Sequence, residues 1–349
     1  MSIFVEIVGS YAFFGCSQLT GPLTFSSNLE EIGDYAFYGC TNFNGDLHLG
    51  FGLRRVGSFA FYRCSRLTGS LRLGYRKTSI SYPPYDDYNR IYRQCRVDDF
   101  TFYECTWFKG SLTMFNVTYV GKYAFYRCGF TGSLTVNYPC IDDFAFYECS
   151  GFNGHLTFNT PSNIISDSRY VINRIGNYSF YGCTGLKGSL DIPYQVEILG
   201  NYAFYNCRGL NGTIKYYEED YFNRCNLHYI GDYAFCNCIN LVGDLELWSS
   251  IYSIGSYSFA NCSSLQSLTI QNGYNLHIGE HAFDNSNFTY LDYQYAYVDP
   301  IGLNANISIY VQRNYRSPSF CTYNIFYEDS DNSGFQEIQD SERVSCKQY

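Results

Sequence analysis

Apolar and small residues recur along this chain in a fixed sequence motif. An Ile or Val is followed by Gly, one variable residue, an aromatic, a small residue, Phe, two variable residues and Cys, and a short alternation such as Leu-x-Leu comes next. Ten copies end in Cys, and Ser286 takes that place in an eleventh. The ten are Cys16, Cys40, Cys64, Cys105, Cys128, Cys149, Cys183, Cys207, Cys238 and Cys262.

The copies are regularly spaced. Successive cysteines lie 24, 24, 41, 23, 21, 34, 24, 31 and 24 residues apart, and Ser286 follows after another 24. A unit of about 24 residues cannot bury its own apolar face, so it must stack on neighbouring units. The sequence therefore predicts one solenoid of about eleven coils over residues 1–311, followed by a polar, acidic tail over residues 312–349.

Each coil is predicted to contain one short strand. The alternation at Leu47 and Leu49 has the period of two that a half-buried strand requires. Strands that all return in one direction form a parallel sheet with rungs about 4.8 Å apart. The dense aromatic stretch opposite leaves room only for short helical or 3₁₀ turns. We expect the Gly after Ile or Val to have a positive φ, which Asp98 and Asp142 would tolerate where they replace it.

Composition excludes several classes of function. The chain is 46% hydrophobic and 20% aromatic, which suits a continuous core. Its net charge of −9 argues against nucleic-acid binding, which needs clustered basic side chains. No apolar run reaches the roughly 20 residues of a membrane-spanning helix, and no signal peptide is visible. The chain begins almost inside the first Gly turn, so we expect a fragment or a misassigned start.

The cysteines at the repeat position are predicted to be buried free thiols. Adjacent rungs would bring them close, but parallel side chains do not meet the torsion that a disulfide needs. Six others could pair or react: Cys95, Cys140, Cys225, Cys236, Cys321 and Cys346. Neither Cys236 with Cys238 nor His277 with His281 supplies a four-ligand zinc set, so no metal and no cofactor are predicted. His281 is interpreted as a substitute for the repeat aromatic.

Two stretches resemble a known family. Ile-Gly-Asp-Tyr-Ala-Phe at 230–235 and Cys-Thr-Gly-Leu-Lys-Gly-Ser-Leu-Asp-Ile-Pro at 183–193 are similar to the leucine-rich repeat of BspA-like surface antigens. The similarity covers roughly residues 5–293. It implies a curved leucine-rich-repeat solenoid, and cell-surface or secreted proteins that bind or adhere. The chain departs from the family in lacking a leader and an anchor, which leaves a cytoplasmic location as the alternative.

The outward strand positions form one candidate binding surface. A column of polar residues at one strand position carries His48 and Arg72 near one end, and acidic residues lie near the other. The candidates are His48, Arg72, Asp191, Asp244 and Glu246. Such faces are the usual partner surface of solenoids. Ser and Thr also suit any exposed strand, so each single residue has a purely structural alternative.

Loop insertions form a second candidate surface. The longer copies place their extra residues between the strand and the next Gly, at 74–96, 159–173 and 215–228. Tyr and Arg are frequent interface anchors, and the first and last insertions are rich in them. The candidates are Tyr75, Tyr82, Tyr85, Tyr88, Arg90, Tyr92, Arg93, Tyr216, Tyr217 and Tyr221. The alternative is that these loops have no binding role and only tolerate changes of sequence and length.

The function predicted is binding without catalysis. The five histidines are scattered, and no nucleophile elbow, phosphate loop or metal-protease helix is present. The leading interpretation, which the family resemblance implies, is a module that binds a protein or a glycan as a surface antigen or adhesin. An intracellular scaffold or structural rod is the alternative, and the oligomeric state is not predicted. A tyrosine column from Tyr38 to Tyr205 is expected to stack, with a sugar-binding strip as its alternative.

Overall fold

The fold is a parallel β-solenoid, seen in a computed structural model. It describes residues 5–50, 52–75, 95–114, 117–137, 140–159, 174–216, 226–271 and 276–293, and three strands at 308–311, 324–328 and 335–337. Within these stretches all regular elements are β-strands. A typical coil contributes two strands, where the sequence predicted one.

The second strand of each coil forms the back sheet. It holds the Ile, Val or, in one coil, Leu before the Gly position, and its 11 described strands pair in parallel. They are β1 (Ile7–Val8), β3 (Glu31–Ile32), β5 (Arg55–Val56), β7 (Cys95–Val97), β9 (Val117–Val120), β11 (Cys140–Ile141), β13 (Arg174–Ile175), β15 (Ile198–Leu199), β17 (Tyr229–Ile230), β19 (Ser253–Ile254) and β21 (His277–Ile278). Most are two residues long, too short to show a period in the sequence.

The predicted strands form the front of the solenoid. The first group is β2 (Gly21–Thr24), β4 (Phe43–Gly50), β6 (Leu71–Tyr75), β8 (Leu112–Met114), β10 (Leu134–Asn137) and β12 (Leu156–Asn159). A bridge between His155 and Lys187 leads on to β14 (Gly188–Ile192) and β16 (Leu210–Tyr216). The last group is β18 (Gly243–Leu247), β20 (Leu265–Ile270), β22 (Tyr290–Tyr293), β23 (Ser308–Val311), β24 (Asn324–Glu328) and β25 (Phe335–Glu337).

The front sheet continues into the predicted tail. β23 pairs in parallel with β24, and β25 closes the sheet in antiparallel orientation. Residues 324–328 and 335–337 are therefore strands of the same sheet, although the sequence placed them in a polar tail. The boundary at residue 311 stays a prediction.

One core runs through the stack. Inward leucines of the front strands, the Ile and Val of the back strands, the repeat Phe and the repeat Cys belong to a single buried cluster. Leu71, Val56, Phe61 and Cys64 are each 0% exposed. Since each coil closes only part of this core, stability depends on stacking.

The segment from Gly to Cys is a run of turns rather than a helix. In residues 33–40, the N–H groups of Ala36, Tyr38 and Cys40 donate to the carbonyl three residues earlier, at 3.3, 3.2 and 3.1 Å. The odd-numbered residues between them donate to carbonyls of the next coil instead. Because every second N–H leaves the coil, a helix cannot propagate, and the predicted helical or 3₁₀ turns are absent from the described turn segments.

Two positions in each described turn segment are left-handed. The first aromatic is one of them, as at Tyr35 with φ 57°, and the residue before Cys is the other, as at Gly39 with φ 67°. In the last four described copies the second position is Asn206, Asn237, Asn261 or Asn285, and Asn tolerates this conformation better than most residues. Left-handed residues at both sites reverse the direction of the chain within eight residues.

The Gly after Ile or Val has a different role from the one predicted. It lies outside the left-handed region, and so do Asp98 and Asp142. A Cβ on Gly33 or Gly200 would come within 2.5 Å of a backbone nitrogen in the preceding coil. This Gly therefore permits close stacking of the backbones, and the positive φ falls two residues later.

Candidate binding surfaces

The strand face has the column predicted from the sequence. Thr24 pairs with His48, His48 with Arg72, and Arg72 with Thr113, all in register on neighbouring strands. Thr135 and Thr157 continue the column. Their side chains are half-buried or exposed, while the Leu that precedes each of them is buried. The structure thus brings His48 and Arg72 onto adjacent rungs.

The acidic candidates lie farther along the same face. Asp191 pairs with Lys215, and Glu246 pairs with Thr269. One carboxylate oxygen of Asp191 is enclosed and receives no hydrogen bond within the described structure. From β6 to β14 there are four rungs of about 4.8 Å, so Asp191 lies about 19 Å from Arg72 along the sheet. These charges therefore form two separate clusters rather than one site.

Most loop candidates lie outside the described residues. Of the ten, only Tyr75 and Tyr216 have a described backbone, at the ends of β6 and β16. Because β7 begins at Cys95, the first insertion spans 76–94 between strands rather than 74–96. The binding role of these loops stays a prediction.

The back sheet carries an ion-pair network that sequence reasoning missed. Arg55 donates to Glu31 at 2.9 Å, to Asp98 at 2.7 Å and to Asp34. Three carboxylates from the two neighbouring coils thus surround one guanidinium, which is about one-third exposed. The sequence did contain a signal for this network, since Glu31, Arg55 and Arg96 share one repeat position.

The network continues over the coils that follow. The Arg96 guanidinium lies 4.5 Å from the centre of the Tyr119 ring, and the Tyr119 hydroxyl donates to Asp142 at 3.3 Å. Burial, followed by the nearby Asp142 charge, raises the pKa of Tyr119. Arg174 pairs with Asp142 at 3.1 Å and with Asp143. Both Asp residues that replace the Gly therefore join ion pairs, and these contacts link coils.

No metal site is formed within the part of the chain that the structure describes, because no three His, Cys, Asp or Glu side chains converge there. The ring of His281 stacks on Tyr257 at 4.8 Å, and its Nδ1 is 2.6 Å from Asp284 Oδ2. His281 thus occupies the place of the repeat aromatic, as predicted.

The cysteines form a ladder of hydrogen-bonded thiols. Cys149 Sγ donates to the Phe125 carbonyl of the preceding coil at 2.9 Å, and the described copies from Cys40 to Cys262 repeat this contact. Burial raises the pKa of Cys149 from 9.0 to about 12. Cys95, Cys140 and Cys236 are buried free thiols as well. Cys225, Cys321 and Cys346 lie outside the described residues.

Ser286 shows that this position of the ladder requires a buried hydrogen-bond donor. Its hydroxyl donates to the Phe259 carbonyl at 2.8 Å, as the thiols do, and the residue is only 2% exposed. Ser286 is therefore buried even in this last copy, and its hydroxyl replaces a thiol donor.

Three aromatic ladders run along the turn segments. The outer ladder stacks the first aromatic of each described coil, from Tyr11 to His281, at 4.6–5.0 Å between ring centres. The core ladder stacks the repeat Phe from Phe13 to Phe283. The surface tyrosine ladder consists of Phe14, Tyr38, Tyr62, Tyr103, Tyr126, Tyr147, Tyr181 and Tyr205, at 4.7–4.9 Å.

The repeat profile of the BspA type leucine-rich repeat region matches this chain in 6 copies, over residues 3–82, 94–171, 164–228 and 228–305. The match covers most of the sequence. The chain belongs to the BspA-type leucine-rich repeat family. No curated protein matches it.

Among solved structures, this BspA-type chain is similar to leucine-rich repeat proteins of bacteria. A leucine-rich repeat protein from Bacteroides ovatus is 21% identical, with a TM-score of 0.43, over 93% of this chain and 88% of that one. A leucine-rich cell surface protein from Faecalibacterium prausnitzii is 20% identical, with a TM-score of 0.38, over 82% of this chain and 77% of that one.

Membership in the family makes this BspA-type chain a repeat binding module. Its described residues include no apolar helix of membrane-spanning length. The strand face presents polar side chains at the surface, whereas in the back sheet Arg55 and Arg174 are each paired with carboxylates.

Proposed function

We propose that this chain is a non-catalytic module that binds a macromolecular partner through its strand face, as a surface antigen or adhesin. The observation that carries the proposal is the in-register column of His48, Arg72 and three threonines on consecutive front strands. A regular polar face backed by buried leucines is rigid, so binding there costs little conformational entropy. Its charges are separated along the sheet, which fixes the direction of a bound partner.

The partner that this face fits best is a protein. Along the front of the solenoid, Arg72 lies about 19 Å from Asp191 and about 29 Å from Glu246, a span that suits a folded surface rather than one small ligand. The insertions between the strand and the next Gly, including residues 76–94, would extend the contact area.

A surface-binding experiment tests this proposal. Purified chain is labelled and offered to intact host-type cells, and bound label is measured by flow cytometry. The variant Arg72→Glu/Glu246→Lys reverses one charge in each cluster and is expected to lower binding at least tenfold. Lys122→Glu, an exposed residue on the turn edge, is the matched control and is expected to bind like the unaltered chain. Equal binding by both variants would contradict a role of the strand face.

The second candidate is an intracellular scaffold or structural rod. It is favoured by the buried free thiols, since thiols stay reduced inside cells and oxidising compartments favour disulfides. Surface labelling of intact cells followed by fractionation separates the two candidates. Labelled protein supports the adhesin, and fully protected protein supports the scaffold.

A further inference from the structure

Two rows of aromatic rings run side by side along the edge formed by the turn segments. The surface tyrosine ladder extends from Phe14 in the first coil to Tyr205 in the eighth, and the outer ladder runs beside it from Tyr11 to Tyr202. Within each of these eight coils the two rings lie tilted, with 5.5–5.8 Å between their centres. We name these 16 rings the aromatic strip. Each ring is half-buried or exposed, so the strip is a surface rather than a part of the core.

A row of charged side chains borders the aromatic strip. In four consecutive coils the residue after the ladder tyrosine is charged, and its sign alternates from coil to coil. These residues, which we name the charged quartet, are Arg63, Glu104, Arg127 and Glu148. Arg63 pairs with Glu104 at 2.8 Å and Arg127 pairs with Glu148 at 2.6 Å, while both arginines stay about half exposed. The quartet is therefore within reach of a second molecule.

The charged quartet lies at the centre of the aromatic strip. It occupies the third to the sixth of the eight coils. The same position is uncharged in the two coils on either side, where it holds Gly15, Gly39, Gly182 and Asn206. The midpoint of the quartet and the midpoint of the strip therefore both fall between the fourth and the fifth coil.

The charged quartet is complementary to itself in reverse order. When a second copy faces the strip in antiparallel orientation, about a two-fold axis through this midpoint, Arg63 faces Glu148 of the second copy. Glu104 then faces Arg127 of the second copy, and the symmetry repeats both pairs. Every member of the quartet thus meets an opposite charge, and complementary charges fix the register of an interface.

Parallel packing of two copies is disfavoured by the other border of the strip. There the residue before the outer ring is Asp99 in the fourth coil and Asp143 in the sixth, and both are half-buried. A two-fold axis along the solenoid would place Glu104 opposite Asp99 and Glu148 opposite Asp143. Like charges that face each other cost free energy, so the charges select the antiparallel orientation.

The aromatic strip has the extent of a stable interface. Its eight rungs, about 4.8 Å apart, extend over about 34 Å. The strip and the quartet together supply 20 side chains from each copy, and stable interfaces use about 20–30 residues a side. Tyr and Arg are also the most frequent interface anchors. A long exposed apolar surface of this kind marks a site of protein association.

We propose that the aromatic strip and the charged quartet join two copies of this chain in an antiparallel, two-fold symmetric dimer. A two-fold contact uses the same surface on both copies, so the assembly closes at two. A polyanion or a polycation fits this surface poorly, because the alternating charges of the quartet sum to zero. The front strands take no part in the strip, so this inference goes beyond the proposed function and does not depend on it.

Sedimentation velocity of the full chain at micromolar concentrations tests the proposal, and the unaltered chain is expected to sediment as a dimer. The variant Arg63→Glu/Arg127→Glu makes the quartet entirely acidic, and Glu104→Arg/Glu148→Arg makes it entirely basic. Each variant alone should raise the dissociation constant of the dimer at least tenfold, because like charges then face each other. An equimolar mixture of the two should form a heterodimer at least as tight as the unaltered dimer.

Two further variants are the controls. Inverting all four signs, in Arg63→Glu/Glu104→Arg/Arg127→Glu/Glu148→Arg, restores the complementarity and should restore the dimer. Arg54→Glu/Lys187→Glu changes the net charge as much as the acidic variant does, at exposed residues outside the strip, and should leave the dimer intact. Melting curves verify that each variant is folded. If the acidic variant does not fold, Arg63→Gln/Arg127→Gln replaces it and should weaken the dimer severalfold.

Four outcomes would overturn the inference. The unaltered chain could sediment as a monomer at every concentration, or as assemblies that grow beyond two copies. The acidic and basic variants could each dimerise as tightly as the control Arg54→Glu/Lys187→Glu. Finally, the mixture of the acidic and the basic variant could contain no heterodimer.

Discussion

At the scale of single residues, the coil on either side decides which side chain each repeat position accepts. Gly200 is Gly because a Cβ would lie 2.5 Å from the Asn177 nitrogen. Gly9 has the same place in the first coil, but nothing lies within 4 Å of a Cβ there. Gly200 is therefore needed for close stacking of the coils, whereas Gly9, at the same position of the motif, is not.

This difference predicts unequal costs for the same substitution. Gly200→Ala should lower the free energy of unfolding by about 2–3 kcal/mol, because overpacking forces adjacent coils apart. Gly9→Ala should change it by less than about 0.5 kcal/mol, as at an open surface site. Urea unfolding followed by circular dichroism measures both. Similar losses for the two variants would show that close stacking is not the reason for this Gly.

At the scale of elements, the ladders make a strained backbone tolerable. A bulky left-handed residue costs about 1–2 kcal/mol, and the outer aromatic is left-handed in each described turn segment, as at Tyr123 with φ 56°. Each aromatic stack contributes about 0.5–1.5 kcal/mol beyond burial, and an inner coil shares two such stacks per ladder. Continuous stacking thus offsets the strain only while the ladders are unbroken.

The surface tyrosine ladder should therefore be sensitive at its centre. Tyr126→Ala removes a ring stacked on both faces and is expected to lower the free energy of unfolding by about 2–3 kcal/mol. Tyr126→Phe keeps the ring and should cost less than about 0.5 kcal/mol. Thermal unfolding of the two variants measures the difference. If Phe costs as much as Ala, the hydroxyl rather than the stack stabilises this position.

The thiol ladder predicts a loss of stability in alkaline solution. Burial raises the pKa of Cys149 from 9.0 to about 12, and that of Cys238 likewise to about 12. Below pH 9 the folded and unfolded chains both keep these protons. Between pH 9 and about 12 only the unfolded chain releases them, so stability falls as pH rises, by about 1.4 kcal/mol per pH unit for each thiol.

Urea unfolding at pH 7, 9 and 10 measures this slope. The variant Cys149→Ser/Cys183→Ser keeps two donors, as Ser286 does, and removes two titrating groups. Its slope above pH 9 should be shallower than that of the unaltered chain. Equal slopes would show that the thiols do not control the alkaline transition.

At the scale of the whole molecule, contacts run between neighbouring coils. The back sheet pairs each described strand with the strands of adjacent coils, so its ladder continues past the long insertions. The front strands form three sheets, with breaks between β12 and β14 and between β16 and β18. The insertion at 76–94 illustrates this, since β5 and β7 on either side pair in register as Arg55 with Arg96 and Val56 with Val97. A change in an insertion can therefore alter partner binding while the stability of the fold stays the same.

Replacing residues 76–94 with a short Gly/Ser linker should shift the melting temperature by no more than a few degrees, because loop length costs little free energy. Binding to intact cells should be abolished if the loop tyrosines and arginines anchor the partner. Differential scanning calorimetry and flow cytometry measure the two effects. Retained binding would exclude this loop from the contact surface.

The sequence predicted the repeat, the parallel front strands, the buried thiols and the polar column on the strand face. A period of about 24 residues with Leu-x-Leu and Cys at fixed places suffices for these, because stacking equal coils puts equal positions in line. The candidate binding residues could be positioned from the sequence only in part. His48 and Arg72 share adjacent rungs as the spacing indicates, whereas the loop residues carry no periodic signal that could position them.

What only the tertiary structure decided are the features that depend on contact between coils. The hydrogen bonds that leave the turn segment, the steric reason for Gly200 and the ion pairs of Asp98 and Asp142 all join residues of different coils. A repeat pattern determines which positions align, and the distance between aligned backbones determines what each position can hold.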